Sequence, residues 1–285
     1  MWDLHSTAVI SSRAKIGHGV SVGPFCVVEA DAQIGAHCAL AARVVVKSDC
    51  ILGSNNKIGE GAVLGGRPQH LAASERVGRL IIGHDNVVRE NVTIHRGLSP
   101  GSATRIGNGC LIMVNVHVAH DCQLGDQLIL VNNCLLAGHV EAEDRAYLSG
   151  AVAVHQFCRI GRLAMLGGQS HVTQDVPPFV TVDGKTNLIV GLNLVGLRRS
   201  GMAAGEIQQL KKAYRLIYRS GLKWTETLDA LDAEFQTGPA AEFHPFLAAT
   251  KRGVVQERRV PRRATILLRA AASDPKTNGP ARKAG

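Results

Sequence analysis

The sequence predicts an all-β solenoid, a parallel β-helix built from hexapeptide repeats and closed by a small C-terminal α-helical cap. Three observations carry this. The first is a ladder of aliphatic residues six apart. It runs Ile16, Val22, Val28, Ile34, Leu40, Val46, Leu52, Ile58, Leu64, then Ile82, Val88, Ile94, then Ile106 to Val172, with only Ala142 short. The second is that all seven cysteines (26, 38, 50, 110, 122, 134, 158) share one register, four residues after an anchor. The third is a change of period after Val176-Pro177-Pro178, where paired prolines end any strand ladder.

Three hexads make an 18-residue coil with three short strands. One coil cannot bury its own anchors, so the coils must stack. Glycine often follows the anchor, as in Ile34-Gly35 and Ile106-Gly107. The cysteines read as small apolar fillers of an interior row, not as disulfides or metal ligands, and no CxxC pair is present. Only 4% of the residues are aromatic, which suits a core built of short aliphatic layers.

Two stretches leave the ladder, near 65–80 and 97–105. Arg67-Pro68 and Ser99-Pro100-Gly101 mark them as loops thrown out of coils, the usual place for function in a solenoid. Helical spacing begins near Val195. Ile207, Leu210, Tyr214 and Ile217 form an apolar face that Gly221 ends. Leu228, Leu231 and Phe235 give a second helix with Thr225 as its cap, and Phe243, Phe246 and Leu247 a third. The expected domains are therefore 1–190 (β-helix), 191–255 (helical cap) and 256–285, a basic disordered tail.

The net charge of +9 is concentrated at one end. Residues 251–285 hold ten Lys/Arg against Glu257 and Asp274, which leaves +1 for residues 1–250. The basic balance thus describes the tail and argues against a nucleic-acid-binding domain. Met1 to His5 lacks the pattern of a secretory signal and no run is apolar enough to span a membrane, so a cytoplasmic protein is expected.

The chemistry points to histidines. His117, His120, His139 and His155 fall on neighbouring coils, and His120 precedes His139 by one coil plus one residue. Asp121 follows His120. A carboxylate bonded to one imidazole nitrogen sets the tautomer and makes the other nitrogen a better base.

Ile94-His95-Arg96-Gly97, Asn115 to Cys122, Leu136-Ala137-Gly138-His139-Val140, Ala153-Val154-His155-Gln156-Phe157-Cys158, Asp175-Val176-Pro177-Pro178 and Tyr214 to Gly221 stand in this order. With them the chain resembles the acyl-carrier-protein–UDP-N-acetylglucosamine O-acyltransferases over roughly residues 5 to 252. The resemblance implies a left-handed β-helix, although general crossover rules favour the right hand. It implies transfer of a 3-hydroxyacyl group from acyl carrier protein to the glucosamine 3-hydroxyl of UDP-N-acetylglucosamine, the opening step of lipid A biosynthesis. No cofactor or metal is implied beyond the carrier's phosphopantetheine.

By the same resemblance His120 is the general base, Asp121 its orienting partner, and the Gly138 N–H the oxyanion donor. His117, His139, His155 and Gln156 match sugar, acyl and phosphate contacts, and Gln69 a substrate contact of the first loop. Asn193 and Arg199 match nucleotide-binding positions, and Gly168 the position that limits acyl length. A homotrimer is implied, with acyl carrier protein docking at the cap. Lys211, Arg215 and Arg219 fall on one face of that cap's first long helix, a stripe suited to an acidic partner.

Three positions depart from the family pattern. His70 and Ala72 replace an acid and a lysine, and Val195 replaces a glutamate. The acceptor is therefore left open between a 3-hydroxyl and a 3-amino sugar, and a catalytically altered homologue remains an alternative. A zinc enzyme of the β-helical carbonic anhydrase type would need three converging histidines, but the residue five after His117 is Cys122.

Overall fold

The computed structural model describes residues 3–258. Two-to-four-residue strands stack into three sheets: sheet A from Asp3–Leu4, sheet B from Val9–Ile10 and sheet C from Lys15–Ile16. The chain visits A, B and C in turn, so neighbouring strands in a sheet belong to successive coils and pair in parallel. The result is a triangular prism, a left-handed parallel β-helix. Inside it the expected anchors form one continuous column, from Val22 through Leu64, Leu130 and Leu166 to Val172.

The period is imposed by the corners. Phe25, Asp31, His37, Arg43, Asp49 and Asn55 all have φ near +60°, and the same position recurs at Asn115, Asp121, Gln127, Asn133 and His139. A left-handed residue turns the chain sharply, and Asn and Asp tolerate it better than most. The glycine after an anchor has another cause. A Cβ on Gly35 would lie 2.5 Å from the carbonyl carbon of Gly53 on the next coil. All seven cysteines are free and buried.

Both insertions leave from the same B–C edge. Val45 pairs with Val63 at the usual 18-residue step, but Val63 pairs with Thr93 and Thr93 with His117. The two long coils thus carry 30 and 24 residues, multiples of six, and the anchors beyond them stay in register.

The ladder ends at Asp175, a buried carboxylate that accepts from the Arg159 N–H (2.9 Å) and the Thr250 hydroxyl (2.8 Å). Strand Val180–Val182 continues sheet A, and Ile189–Leu192 pairs with it antiparallel. Four helices follow: α1 (Leu194–Arg199), α2 (Ala204–Arg219), α3 (Trp224–Glu234) and α4 (Phe243–Ala248). They bury Leu197, Leu210, Leu231, Phe243 and Leu247 with Phe179 in a second core. Arg162 clamps the cap to the prism through a bidentate pair with Glu242 (2.6 and 2.9 Å).

Three expectations need correction. The domain boundary at 190/191 falls inside the Ile189–Leu192 strand. The tail does not begin at 256: Ile189 donates its N–H to Gln256 and accepts from Arg258, so these residues extend the sheet. The tail from 259 lies outside the described residues. Thr225 does not cap α3. Lys223 does, and its N–H bonds to Glu226 (2.8 Å), because the helix starts two residues earlier than the apolar spacing suggests.

Candidate active site

His120 and Asp121 sit at the B–C edge, between strands His117–Val118 and Gln123–Leu124, and both are buried. Asp121 occupies the left-handed corner position (φ 61°). Its Oδ2 lies 2.8 Å from His120 Nδ1. An ionised carboxylate only accepts, so Nδ1 is the donor and Nε2 of a neutral ring holds the free lone pair.

The 97–105 insertion explains how a buried carboxylate is tolerated there. Leu98 donates its N–H to Asp121 Oδ2 (2.9 Å), and Ser102 adds a side-chain hydrogen bond. The Asp121 N–H donates to the buried Thr104 hydroxyl (2.8 Å). Burial by itself raises the carboxyl, but the bonds from Ser102, His120 and Leu98 outweigh it and hold Asp121 below the usual carboxylate range.

One coil on, Gly138 and His139 occupy the same corner. The His139 ring meets His120 edge to face, with centroids 5.1 Å apart, and stacks flat on Phe157 at 4.6 Å. Burial lowers the His139 pKa, with Asp121 opposing. The Gly138 carbonyl accepts from Phe157, whereas its N–H has no acceptor among the described residues. A Cβ at 138 would lie 2.7 Å from His120 Cε1 and Nε2.

In the strand that leads into His120, His117 projects from sheet B. Its Nδ1 is 2.8 Å from the Thr93 hydroxyl and its ring 4.8 Å from that of His95. Burial, with smaller effects from His117 and His120, pushes His95 down to about 4. The first loop, stapled by Arg67 to the Ser74 and Glu75 carbonyls, brings the His70 ring 5.5 Å from His120, edge to face. Gln69 beside it is exposed. His155 and Gln156 follow on the next coil of the same edge, with His155 Nδ1 3.3 Å from the Gln156 carbonyl.

The structure thus brings Gln69, His117, His120, Asp121, Gly138, His139, His155 and Gln156 to one edge. It does not bring the other three there. Gly168 lies at the A–B edge, after strand Met165–Leu166, where an added Cβ would meet only ordinary contacts at 3.4 Å and beyond. Asn193 lies by the C–A edge: its Nδ2 donates to the Leu163 carbonyl (3.0 Å) and its Oδ1 accepts from Gly196, capping α1. Arg199 is exposed in the last turn of that helix. In the basic stripe, Arg219 is bound to Glu257 (2.6 Å), so only Lys211 and Arg215 of the three have no ion pair among the described residues.

Sequence reasoning missed Ser102, Thr104 and Leu98 as partners of the dyad and Phe157 as the ring stacked on His139. Their signal lay only in loop placement, apart from Phe157, which follows His139 by 18 residues, one full coil. Beyond His139 a cleft of about 740 Å³ opens toward the cap, lined by Phe157, by the basic Arg159, Lys251 and Arg252, and by the acidic Glu141 and Asp175. His120, Asp121 and His139 also offer a set of donor atoms within 4.8 Å of one another that could hold a metal ion. No helix among the described residues is long and apolar enough to cross a membrane.

The family described as UDP N-acetylglucosamine O-acyltransferase, domain 2, matches residues 175–255. Bacterial transferase hexapeptide repeats match 13–48, 31–66 and 103–138. An acyl-carrier-protein–UDP-N-acetylglucosamine O-acyltransferase of Janthinobacterium sp. (strain Marseille) is 44% identical over 89% of this chain and 99% of its own. One from Alkalilimnicola ehrlichii is 45% identical over 87% and 97%. Among solved structures, the UDP-N-acetylglucosamine acyltransferase of Francisella novicida superposes with a TM-score of 0.86 at 34% identity, covering 89% of this chain and 94% of that one. The UDP-N-acetylglucosamine O-acyltransferase of Moraxella catarrhalis gives 0.85 at 39% identity, over 89% and 99%. With repeats, cap and near full-length identity all in agreement, the chain belongs to the family of acyl-carrier-protein–UDP-N-acetylglucosamine O-acyltransferases.

Proposed function

We propose that this protein transfers a 3-hydroxyacyl group from acyl carrier protein to the glucosamine 3-hydroxyl of UDP-N-acetylglucosamine, the first step of lipid A biosynthesis. The observation that carries the reading is the His120–Asp121 dyad facing a glycine whose N–H has no acceptor among the described residues. His120 Nε2 takes the proton of the sugar hydroxyl as its oxygen attacks the thioester carbonyl. Asp121 holds the ring and stabilises the imidazolium that forms. The Gly138 N–H meets the oxyanion. Collapse breaks the C–S bond, and the departing pantetheine thiolate takes the proton back from His120.

His117, His139, His155, Gln156 and Gln69 surround that point as substrate contacts. The cleft toward Arg159, Lys251 and Arg252 suits the pantetheine arm and the acidic carrier docking at the cap. Phosphopantetheine arrives with the donor, so the protein's own groups supply the chemistry.

The working form in this reading is a homotrimer in the cytoplasm. The outward row of sheet A reads Val87, Leu111, Ile129, Tyr147, Met165, too apolar for a face meant for water. Gly168, Asn193 and Arg199 lie on other edges, as expected if neighbouring copies complete the site. A second reading keeps the donor and changes the acceptor: His70 and Ala72 leave the loop over His120 without the family's charged pair, and a 3-amino sugar would then be acylated to an amide.

The test is incubation with UDP-N-acetylglucosamine, or its 3-amino analogue, and a panel of 3-hydroxyacyl carrier proteins, reading product mass, with His120→Ala alongside. An alkali-labile ester that disappears in the variant supports the first reading. An alkali-stable amide formed only from the amino sugar moves it to the second. No product from either acceptor, with the protein folded, would overturn both.

A further inference from the structure

His120, Asp121 and His139 present donor atoms that all lie within 4.8 Å of one another. Asp121 Oδ2 is 2.8 Å from His120 Nδ1 and 3.9 Å from His139 Nε2. The acyl-transfer chemistry needs one base and one orienter. It gives no reason for a further imidazole, that of His70, to pack edge-on against the base, nor for the substrate contact His139 to place its Nε2 3.9 Å from Asp121 Oδ2.

We infer that this cluster is a binding site for a zinc-like divalent cation, and that occupation switches the enzyme off. Two imidazoles and a carboxylate with an open fourth position form a donor set that zinc takes up readily. Imidazole-rich sets favour zinc, copper or nickel over magnesium and calcium. Zinc–ligand lengths near 2.0–2.1 Å place tetrahedral donors about 3.3 Å apart. The separations of 2.8 and 3.9 Å bracket that value, so small side-chain rotations close the site. His139 has room to move, with 37% of its side chain exposed, and its ring stacks on Phe157 with Nε2 3.9 Å from Asp121 Oδ2.

His70 is the fourth donor. It is exposed on the first loop, with Nδ1 turned back to accept from the Ala72 N–H (3.1 Å), so Nε2 is the nitrogen left for a metal. Its recruitment would draw the 67–78 loop down over the dyad. A cation held here either displaces the His120–Asp121 bond or takes the His120 Nε2 lone pair. In both cases the base can no longer accept the sugar proton. Binding itself stands on geometry alone, and only the inhibition rests on the proposed function.

The experiment is equilibrium competition between the full-length protein and a chromophoric chelator for Zn²⁺ alone, with Mg²⁺ as control. The expected result is one Zn²⁺ per chain and no competition by Mg²⁺. His139→Ala and His70→Ala should each weaken binding by about tenfold to a hundredfold, a range that even outer partners of a metal site command. X-ray absorption of the zinc complex should show nitrogen and oxygen donors with at least two imidazoles. It reads the intact chain and so does not depend on a variant folding. No stoichiometric zinc, or binding undiminished in both variants, would overturn the site. If zinc binds as described but leaves acyl transfer untouched, the switch is overturned. If no acyl transfer exists to inhibit, the functional reading fails while the metal site stands.

Discussion

Gly138 and His120 are fitted to each other: a Cβ at 138 would lie 2.7 Å from the Cε1 and Nε2 atoms of the His120 ring. The glycine is thus required for the space beside the base, which a Cβ would fill. Gly138→Ala should push the ring off its Asp121 bond and lower kcat by about 10²–10⁴, the range that a positioned general base contributes. Overpacking should cost only about 1–3 kcal/mol of stability. A folded Gly138→Ala protein with full kcat would refute this relationship.

Asp121→Asn keeps the shape but lets the amide donate toward His120, which favours the wrong tautomer. The fall in kcat should be large, on the order of 10⁴ where an analogous substitution disables a serine-protease triad. The Asp121 carboxyl is already held below the usual range. An acid limb of kcat/KM above pH 5 should therefore not be its titration, and loss of activity tracking a carboxylate near pH 5–6 would contradict the assignment.

The His95 ring is buried with Nδ1 unpartnered, and burial pushes its pKa down to about 4 from an ordinary 6.5. The unfolded chain therefore takes up a proton below pH 6.5 that the folded chain refuses until about 4. Stability falls as pH drops through that window, by about 3 kcal/mol at its acid end. His117 and His139 are shifted the same way and add to the slope. Thermal unfolding of His95→Gln between pH 7 and 4.5 should show a flatter dependence than the parent. An identical slope would place the acid sensitivity elsewhere.

Glu257 ties the segment bridged to Ile189 to α2, accepting from the Tyr214 hydroxyl (2.8 Å) and from Arg219 (2.6 Å). Burial opposes its ionisation, but the bonds from Arg219 and Tyr214 prevail and lower its pKa. The stabilisation is therefore present above the ordinary carboxylate pKa and is lost as pH falls through the lowered value. Glu257→Gln should destabilise the cap by about 1–3 kcal/mol at pH 7, the range for charge-assisted bonds. Amide hydrogen exchange in α2 should rise. Unchanged exchange there would show that the latch is cosmetic.

Burial pushes the Cys50 and Cys122 thiols up to about 12 and those of Cys110, Cys134 and Cys158 up to about 11. A thiol-specific chromophore at pH 8 should then react with none of the seven until the prism unfolds. Fast labelling of the native protein would mean that the coils open.

The ladder was fully legible, because a stacked coil repeats the same interior position every six residues and a non-aliphatic residue there has nowhere to go. The edge that carries the site was legible too: His120 and His139 differ by one coil plus one residue, and the corner follows from that count. The cap was read less well. Thr225 looked like an N-terminal cap, but the helix is closed at Lys223, whose backbone N–H donates to the Glu226 carboxylate, a bond that the apolar spacing does not encode.

The sequence by itself determined the solenoid, the register of its anchors and cysteines, and the placing of His120, Asp121, Gly138 and His139 on one edge. Tertiary structure decided what meets them. It laid His70 on the base, wrapped Leu98 and Ser102 around Asp121, and spent both oxygen and nitrogen of the Asn193 side chain on capping α1 and on the Leu163 carbonyl. The physical reason is that a period counts positions along one chain. The insertions have no period, and their side chains are placed by contacts between coils.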